Sequence, residues 1–313
     1  MVVRWLCAVT LVALGVGLAP RGLEAQRGGE APRVALLDGD RGLLVRDGNL
    51  YWQRDGRWVR APLVGASAVD VVSARGALWV LGRGAGALRG HVLVLRYEAP
   101  DRLTLVDSAP VGAGFVPRAL GVEREAFQLG GDNPPLLRLQ RGEVTGMLAG
   151  GPGVDRLQWS PDDVLVMGHP GRGPSAWRWG AHRPQLRPGT WRLLVGRAGA
   201  LGVLADGTVL RGLPWGPVRG PDRLAPPWPP SPVAPVAGAV DAAGRVVLVG
   251  PDGAGWRTAG RAWTSLGRLP EAPVALLGAG EGVEPVHAVL RDGRCLALEG
   301  QAWVPRVGRA HGD

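Results

Sequence analysis

Lysine and isoleucine are absent from this 313-residue chain, and asparagine occurs only at Asn49 and Asn133. These residues share A/T-rich codons, so a GC-rich coding sequence of bacterial type accounts for the bias without selection for arginine. Cysteine is nearly absent too. Cys7 lies in an N-terminal apolar run and Cys295 is alone in the rest, which excludes an internal disulfide and any cysteine-based zinc or haem motif. Cys295 reads as a small buried strand residue. The five histidines, His91, His169, His182, His287 and His311, include no pair at metal-binding spacing, so neither metal nor cofactor is expected. No serine sits in a Gly-x-Ser-x-Gly elbow. Helical periodicity is also scarce, because 51 glycines and 28 prolines interrupt it. The exception is 117–129, where Arg124, Glu125 and Ala126 would tolerate a helix.

Long apolar runs are confined to the first 25 residues. Arg4 supplies a positive start, residues 5–19 are apolar but too short for a stable bilayer anchor, and Pro20 ends the run. Leu23-Glu24-Ala25 before Gln26 reads as a signal-peptidase site, with cleavage between Ala25 and Gln26; an uncleaved anchor is the alternative. With no lipobox cysteine, no twin-arginine pair and no second apolar segment, we expect export to a periplasm or the medium and no transmembrane span. The organisation expected is a signal peptide at 1–25, a short linker at 26–32, one domain at 33–309 and a tail at 310–313.

All 36 basic residues are arginine, the net charge is +9, and losing Arg4, Arg21 and Glu24 with the leader leaves +8. Such a balance attracts anionic surfaces. Yet there is no basic run and no stripe of arginines interleaved with aromatics, which argues against nucleic acid as the partner. Dispersed arginines on outer strands would instead blunt exposed sheet edges.

What the chain does have is a repeat. Two to four short apolar runs, closed by glycine or Asp-Gly, recur between residues 33 and 307. Asp-Gly pairs stand at Asp38, Asp47, Asp55, Asp206, Asp252 and Asp292, a strong short hairpin signal. Tryptophan recurs just past the last hairpin, at Trp58, Trp263 and Trp303. Anchors near 41, 75, 124, 162, 198, 243 and 284 recur every ~40 residues, the size of one four-stranded propeller blade. Runs at 34–38, 42–46, 49–53 and 57–60 make the first blade, and runs at 273–277, 286–290, 294–298 and 302–306 the last. Blades three and four fall at 116–148 and 154–187. The pattern predicts an all-β, seven-bladed β-propeller of four-stranded antiparallel blades, six to eight blades being compatible with the step, preceded by a signal peptide. A β-sandwich is the competing architecture. Most tryptophans read as wedges between blades; only Trp215 and Trp228 look loop-borne.

Strand parity suggests where a site would sit. First-to-second and third-to-fourth connections emerge on one face and are mostly tight; second-to-third and blade-to-blade connections emerge on the other. The long loops at 83–90, 130–134, 168–174 and the proline-rich 214–235 collect there, and loops on a rigid scaffold commonly carry function. The candidate surface comprises Arg83, Arg89, Asp132, His169, Arg172, Arg219, Arg223 and Trp228. It suits a protein or other anionic, extended partner. His169 with Asp132 is the one pair that suggests chemistry. Glycosidase work needs two carboxylates at controlled separation, and most aspartates here sit in turns for local reasons.

The segments VAGAVDAAGRVVLVG at 236–250 and SAVDVVSARGALWVLG at 67–82 resemble NHL-type and related WD40-like propeller repeats. No Trp-Asp dipeptide closes a blade, no sialidase box occurs, and no periodic kelch double glycine is present. The resemblance implies the fold and a habit of ligand or protein binding, with no catalytic residue to carry over. The resulting expectation is an exported, monomeric, non-enzymatic binding scaffold. A propeller-type hydrolase or lyase, or a structural cell-envelope component, are the alternatives.

Overall fold

In the computed structural model, Asp47 and Gly48 have φ of 50° and 76°, and Asp55 and Gly56 of 50° and 70°. Both pairs occupy the left-handed region that a two-residue type I′ hairpin requires. In the last two blades aspartate closes the turn differently: Oδ1 of Asp252 and of Asp292 accepts the N–H of the residue two places on, both at 3.1 Å. Their Oδ2 atoms pair with Arg268 at 2.9 Å and Arg294 at 2.7 Å respectively.

The structure describes residues 31–37, 41–99, 102–123, 126–148, 150–159, 164–169, 172–178, 191–196, 200–204, 209–211, 231–259, 262–278 and 285–307, with backbone alone for several between 158 and 211. The leader, Ala25, Gln26 and most of the linker lie outside the described residues, as do Asp38 and Asp206. No helix among the described residues is long and apolar enough to cross a membrane.

Seven antiparallel sheets follow one another, each with its strands in chain order. The first holds β1 (Arg33–Leu36), β2 (Gly42–Arg46), β3 (Asn49–Arg54) and β4 (Arg57–Ala61). The second holds β5 (Ala66–Ala74), β6 (Ala77–Gly84), β7 (His91–Ala99) and β8 (Arg102–Pro110). The third holds β9 (Val116–Val122), β10 (Phe127–Asp132), β11 (Leu136–Gln140) and β12 (Glu143–Leu148). The next two are β13 (Arg156–Trp159), β14 (Val164–His169), β15 (Arg172–Arg178), and β16 (Trp191–Gly196), β17 (Ala200–Leu204), β18 (Val209–Arg211). The sixth is β19 (Ala237–Val240), β20 (Val246–Val249), β21 (Gly255–Ala259) and β22 (Ala262–Ser265). The seventh is β23 (Ala275–Leu277), β24 (His287–Val289), β25 (Cys295–Glu299) and β26 (Ala302–Val307).

Four strands per blade therefore hold in five sheets, while sheets four and five have three among the described residues. Residues 179–190 and 212–230, which follow their third strands, lie outside that set. A second correction concerns 117–129: its residues 117–122 and 127–129 belong to β9 and β10, while Arg124 and Glu125 lie outside the described residues. Leu120, Val122, Phe127 and Leu129 are all buried between blades two and three, and that packing overrides weak local helix tolerance.

The core is a set of seams between sheets. Ala35, Leu43 and Val45 face the second sheet, while Val34, Leu36 and Leu44 face the seventh. Both faces of the strands are thus buried, so the apolar runs show no polar alternation. First strands stand side by side: β1 by β5, β5 by β9, β9 by β13, β16 by β19, β19 by β23, and β23 back against β1. The seam between the last and first sheets, sealed by Leu277, Val289, Cys295 and Val307 from one side, closes the ring. Two stacked layers would have no such seam. Trp58 is a wedge there, its indole N–H donating to the Gly293 carbonyl at 2.8 Å; Trp79 stacks obliquely on Phe127, and Trp263 and Trp303 pack on the sixth-to-seventh seam. Cys295 is fully buried, and burial pushes its thiol pKa up to about 12.

Candidate functional site

Two inner strands are irregular near their starts. Val69 has no partner on β6, between Ala68↔Gly82 and Asp70↔Leu81, and Arg118 has none on β10, between Pro117↔Gly131 and Ala119↔Gly130. A bulge redirects the side chains around it. Here Asp70 reaches the neighbouring blade, where its Oδ2 accepts the Leu120 N–H at 2.9 Å. An innermost strand has a ladder neighbour on one side only, so such N–H groups need another acceptor. Asp70 is 6% exposed. Burial raises its carboxyl pKa from 3.8 to about 6, against the opposing pull of Arg33, the Leu120 and Val71 N–H groups, and Arg156.

Arg33 opens β1 and Arg156 opens β13, so both stand at the end of the axis where first strands begin. An Arg156 Nη2 lies 3.5 Å from the carbonyl of Val274, just ahead of β23 on the far side of the ring. Arg156 is exposed as a residue, yet the protein around its guanidinium lowers its pKa by desolvation, Arg33 lowers it further, and Asp155 and Asp70 oppose the change.

The same end carries the pair singled out from sequence. Asp132, at the end of β10, takes Nε and Nη2 of Arg118 on its Oδ2 at 2.8 and 2.7 Å. The blade-to-blade connection passes beside it at Gly153, where any Cβ would collide with the Asp132 carboxylate. His169, at the end of β14, lies with Nδ1 2.8 Å from the Gly153 carbonyl. A carbonyl only accepts, so the proton is on Nδ1. Asp132 and His169 do converge, but on Gly153, the first by close approach to its Cα and the second through a hydrogen bond to its carbonyl.

Arg83 is exposed near the end of β6, and Arg89 is exposed after the 3-10 turn Gly86–Leu88. Arg172 opens β15 with its backbone opposite His169; its side chain, and all of Arg219, Arg223 and Trp228, lie outside the described residues. The loops are shorter than expected. Gly130, Gly131 and Asp132 belong to β10, Gly168 and His169 to β14, and Arg172 to β15, because strand pairing continues through glycine where a close neighbour leaves no room for a side chain. The loop after β6 is tied to the connection after β4 by the Ala85 N–H on the Gly65 carbonyl at 2.7 Å. This presents Val64, 92% exposed, and Leu88, 40% exposed, on one rim.

Arg33, Asp70 and Arg156 escaped the sequence reading. One signal could have found them: each is a charged residue in the first run of its blade, where neighbours such as Val69, Val71 and Val72 are apolar.

No family model and no curated protein matches the chain. Solved structures do. PorZ, an essential bacterial surface component of the type-IX secretion system of Porphyromonas gingivalis, aligns with a TM-score of 0.55 at 16% identity, covering 91% of this chain. This chain spans only 39% of that one. YCF48, solved bound to a D1 peptide, aligns at 0.51 and 14% identity, covering 90% of this chain and 94% of its own. The WD40 β-propeller domain of Doa1 aligns at 0.50 and 12% identity, covering 87% and 90%. At these identities the likeness speaks for the fold alone, and with the closed ring of sheets it makes this chain a β-propeller.

Proposed function

We propose that this chain is an exported β-propeller that binds a protein partner across the face carrying its second-to-third and blade-to-blade connections. The observation that carries the reading is the rim formed by the tied loops of the first two blades. Val64 and Leu88 expose apolar surface there, with Arg83 and Arg89 beside them. Exposed apolar side chains rimmed by charge mark interaction sites, and arginine favours an acidic, extended segment on the partner. The opposite face offers tight turns such as Asp55-Gly56, Arg75-Gly76 and Arg141-Gly142. That YCF48 carries a peptide on the same fold supports the reading. Export rests on the leader at 1–25, and cleavage after Ala25 would leave Gln26 as the mature N-terminus, which intact mass of the exported protein checks.

A photo-crosslinking residue at Leu88 should capture the partner in the producing cell, and one at Arg75 should not. The double variant Val64→Asp, Leu88→Asp should lose the crosslinked partner while its unfolding midpoint stays put, since exposed substitutions shift stability by no more than about 0.5 kcal/mol. Equal capture from both faces would sink the assignment.

A further inference from the structure

Arg54 and Arg57 flank the Asp55-Gly56 turn and stand directly opposite each other as the last cross-strand pair of β3 and β4. Such a pair shares one face of the sheet, its Cα atoms about 5.5 Å apart beside a two-residue turn. Both arginines are exposed, and among the described residues neither makes an ion pair or a side-chain hydrogen bond. Asp55, in the turn between them, pairs with neither. Like charges directly opposite destabilise a hairpin. The matching position holds Ala99 opposite Arg102 in blade two, Gln140 opposite Glu143 in blade three, Ala259 opposite Ala262 in blade six and Glu299 opposite Ala302 in blade seven. Of these five blades, blade one alone sets two cations there.

The turn rests against blade seven, where a Cβ on Gly56 would lie 3.5 Å from the Arg306 carbonyl. The Arg306 side chain is itself taken by Glu299. Arg60, on the other face of the hairpin, donates to the neutral Asn49 Oδ1 at 2.8 Å. Residues 49–61 thus carry three arginines against one aspartate, a net +2. On the face of Arg54 and Arg57, β4 continues to Val59, which is 40% exposed and stands opposite the buried Trp52.

We propose that this hairpin binds the phosphate monoester of an organic anion, Arg54 and Arg57 each offering a guanidinium fork to its oxygens and Val59 receiving the first carbons of the ester. A phosphate monoester carries about two negative charges near neutrality, which the two cations balance, whereas a carboxylate leaves one unbalanced. The fork geometry of arginine suits the same group. The site lies on the face opposite the partner rim and does not rest on that reading. A lipid headgroup and a soluble phosphate ester share this chemistry, and the probes below separate them.

Isothermal titration of the full chain at fixed ionic strength would compare butyl phosphate, butyrate and inorganic phosphate. Butyl phosphate should bind about tenfold more tightly than butyrate and about threefold more tightly than inorganic phosphate. Arg54→Gln and Arg57→Gln should each weaken it about tenfold, and Val59→Ser should remove its advantage over inorganic phosphate. Arg102→Gln, an exposed arginine at the matching turn of blade two, should change nothing. Without ligand, Arg57→Gln should raise the unfolding midpoint, since it removes the like-charge opposition; a purely structural arginine would lower it. Sedimentation with phosphatidylcholine vesicles containing phosphatidic acid, and not with phosphatidylcholine alone, assigns the group to a lipid; butyl phosphate binding without sedimentation assigns it to a soluble ester. No binding of butyl phosphate, equal binding of butyrate, indifference to both Arg54→Gln and Arg57→Gln, or an equal loss in Arg102→Gln would each overturn the proposal. Should a variant fail to fold, the preference of the unaltered chain for butyl phosphate over butyrate decides alone.

Discussion

The seam between blades seven and one and the seam between blades two and three are both apolar, but they are stapled by different chemistry. The first is tied by a neutral donor, the Trp58 indole on the Gly293 carbonyl. The second is tied by a buried carboxylate, Asp70, on the Leu120 N–H. A neutral staple works at any pH. An ionisable one stores its desolvation cost in a proton equilibrium, and here the charges of Arg33 and Arg156 act against that cost. The difference shows how one propeller can keep its closing seam indifferent to its surroundings while another seam is coupled to charge at the axis.

The largest expected effect lies on the closing seam. Leu44 is fully buried there, and Leu44→Ala should cost ~2–5 kcal/mol through lost transfer energy and the cavity left behind. Urea unfolding measures it. A cost below about 1 kcal/mol would mean the seam does not hold the ring shut.

Next comes the pH dependence of the second seam. The folded pKa of Asp70 is raised, so the native state binds its proton more tightly than the unfolded chain. Its stabilising contribution is present below the ordinary value of 3.8 and is lost as pH rises through about 6. At about 1.4 kcal/mol per pH unit the loss is ~3 kcal/mol. His287, 1% exposed in blade seven, works with the opposite sign. Burial lowers its pKa, the Pro285 carbonyl opposes this, and Arg306 adds to the lowering, so its contribution is lost as the solution turns acid. Comparing the parent with Asp70→Asn cancels the histidine. The variant should gain on the parent as pH rises from about 4 to about 7, and a constant difference would refute the coupling.

The smallest effect tests the neutral staple. Trp58→Phe keeps most of the apolar wedge but leaves the Gly293 carbonyl only the weak Cys295 thiol donor at 3.7 Å, at ~1–2 kcal/mol. That penalty should be equal at acid and neutral pH. A pH-dependent penalty would erase the contrast between the two seams.

Much of the fold was legible because turn chemistry is local. Asp47-Gly48 and Asp55-Gly56 announce left-handed turns, and the runs of the first and seventh blades lie within two residues of the observed strands. The loops were overestimated where glycine and proline in 130–134 and 168–174 stood for close packing rather than for a break in pairing. Of the candidate surface, strand parity placed Arg83, Arg89, Asp132 and His169 at one end of the sheets, where they stand, although His169 is buried. The axial group was not. Arg33, Asp70 and Arg156 are separated by 37 and 86 positions in the chain, and no local pattern ties a strand-opening arginine to an aspartate a blade away.

By itself, then, the order of residues determined the hairpins and the roughly forty-residue step, since each depends on backbone preference and on neighbours a few positions apart. Closure of the ring decided the rest. Only when the seventh sheet meets the first do the inner strands share an axis. Charges from distant blades then act on one another, and with burial they set how Asp70 ionises.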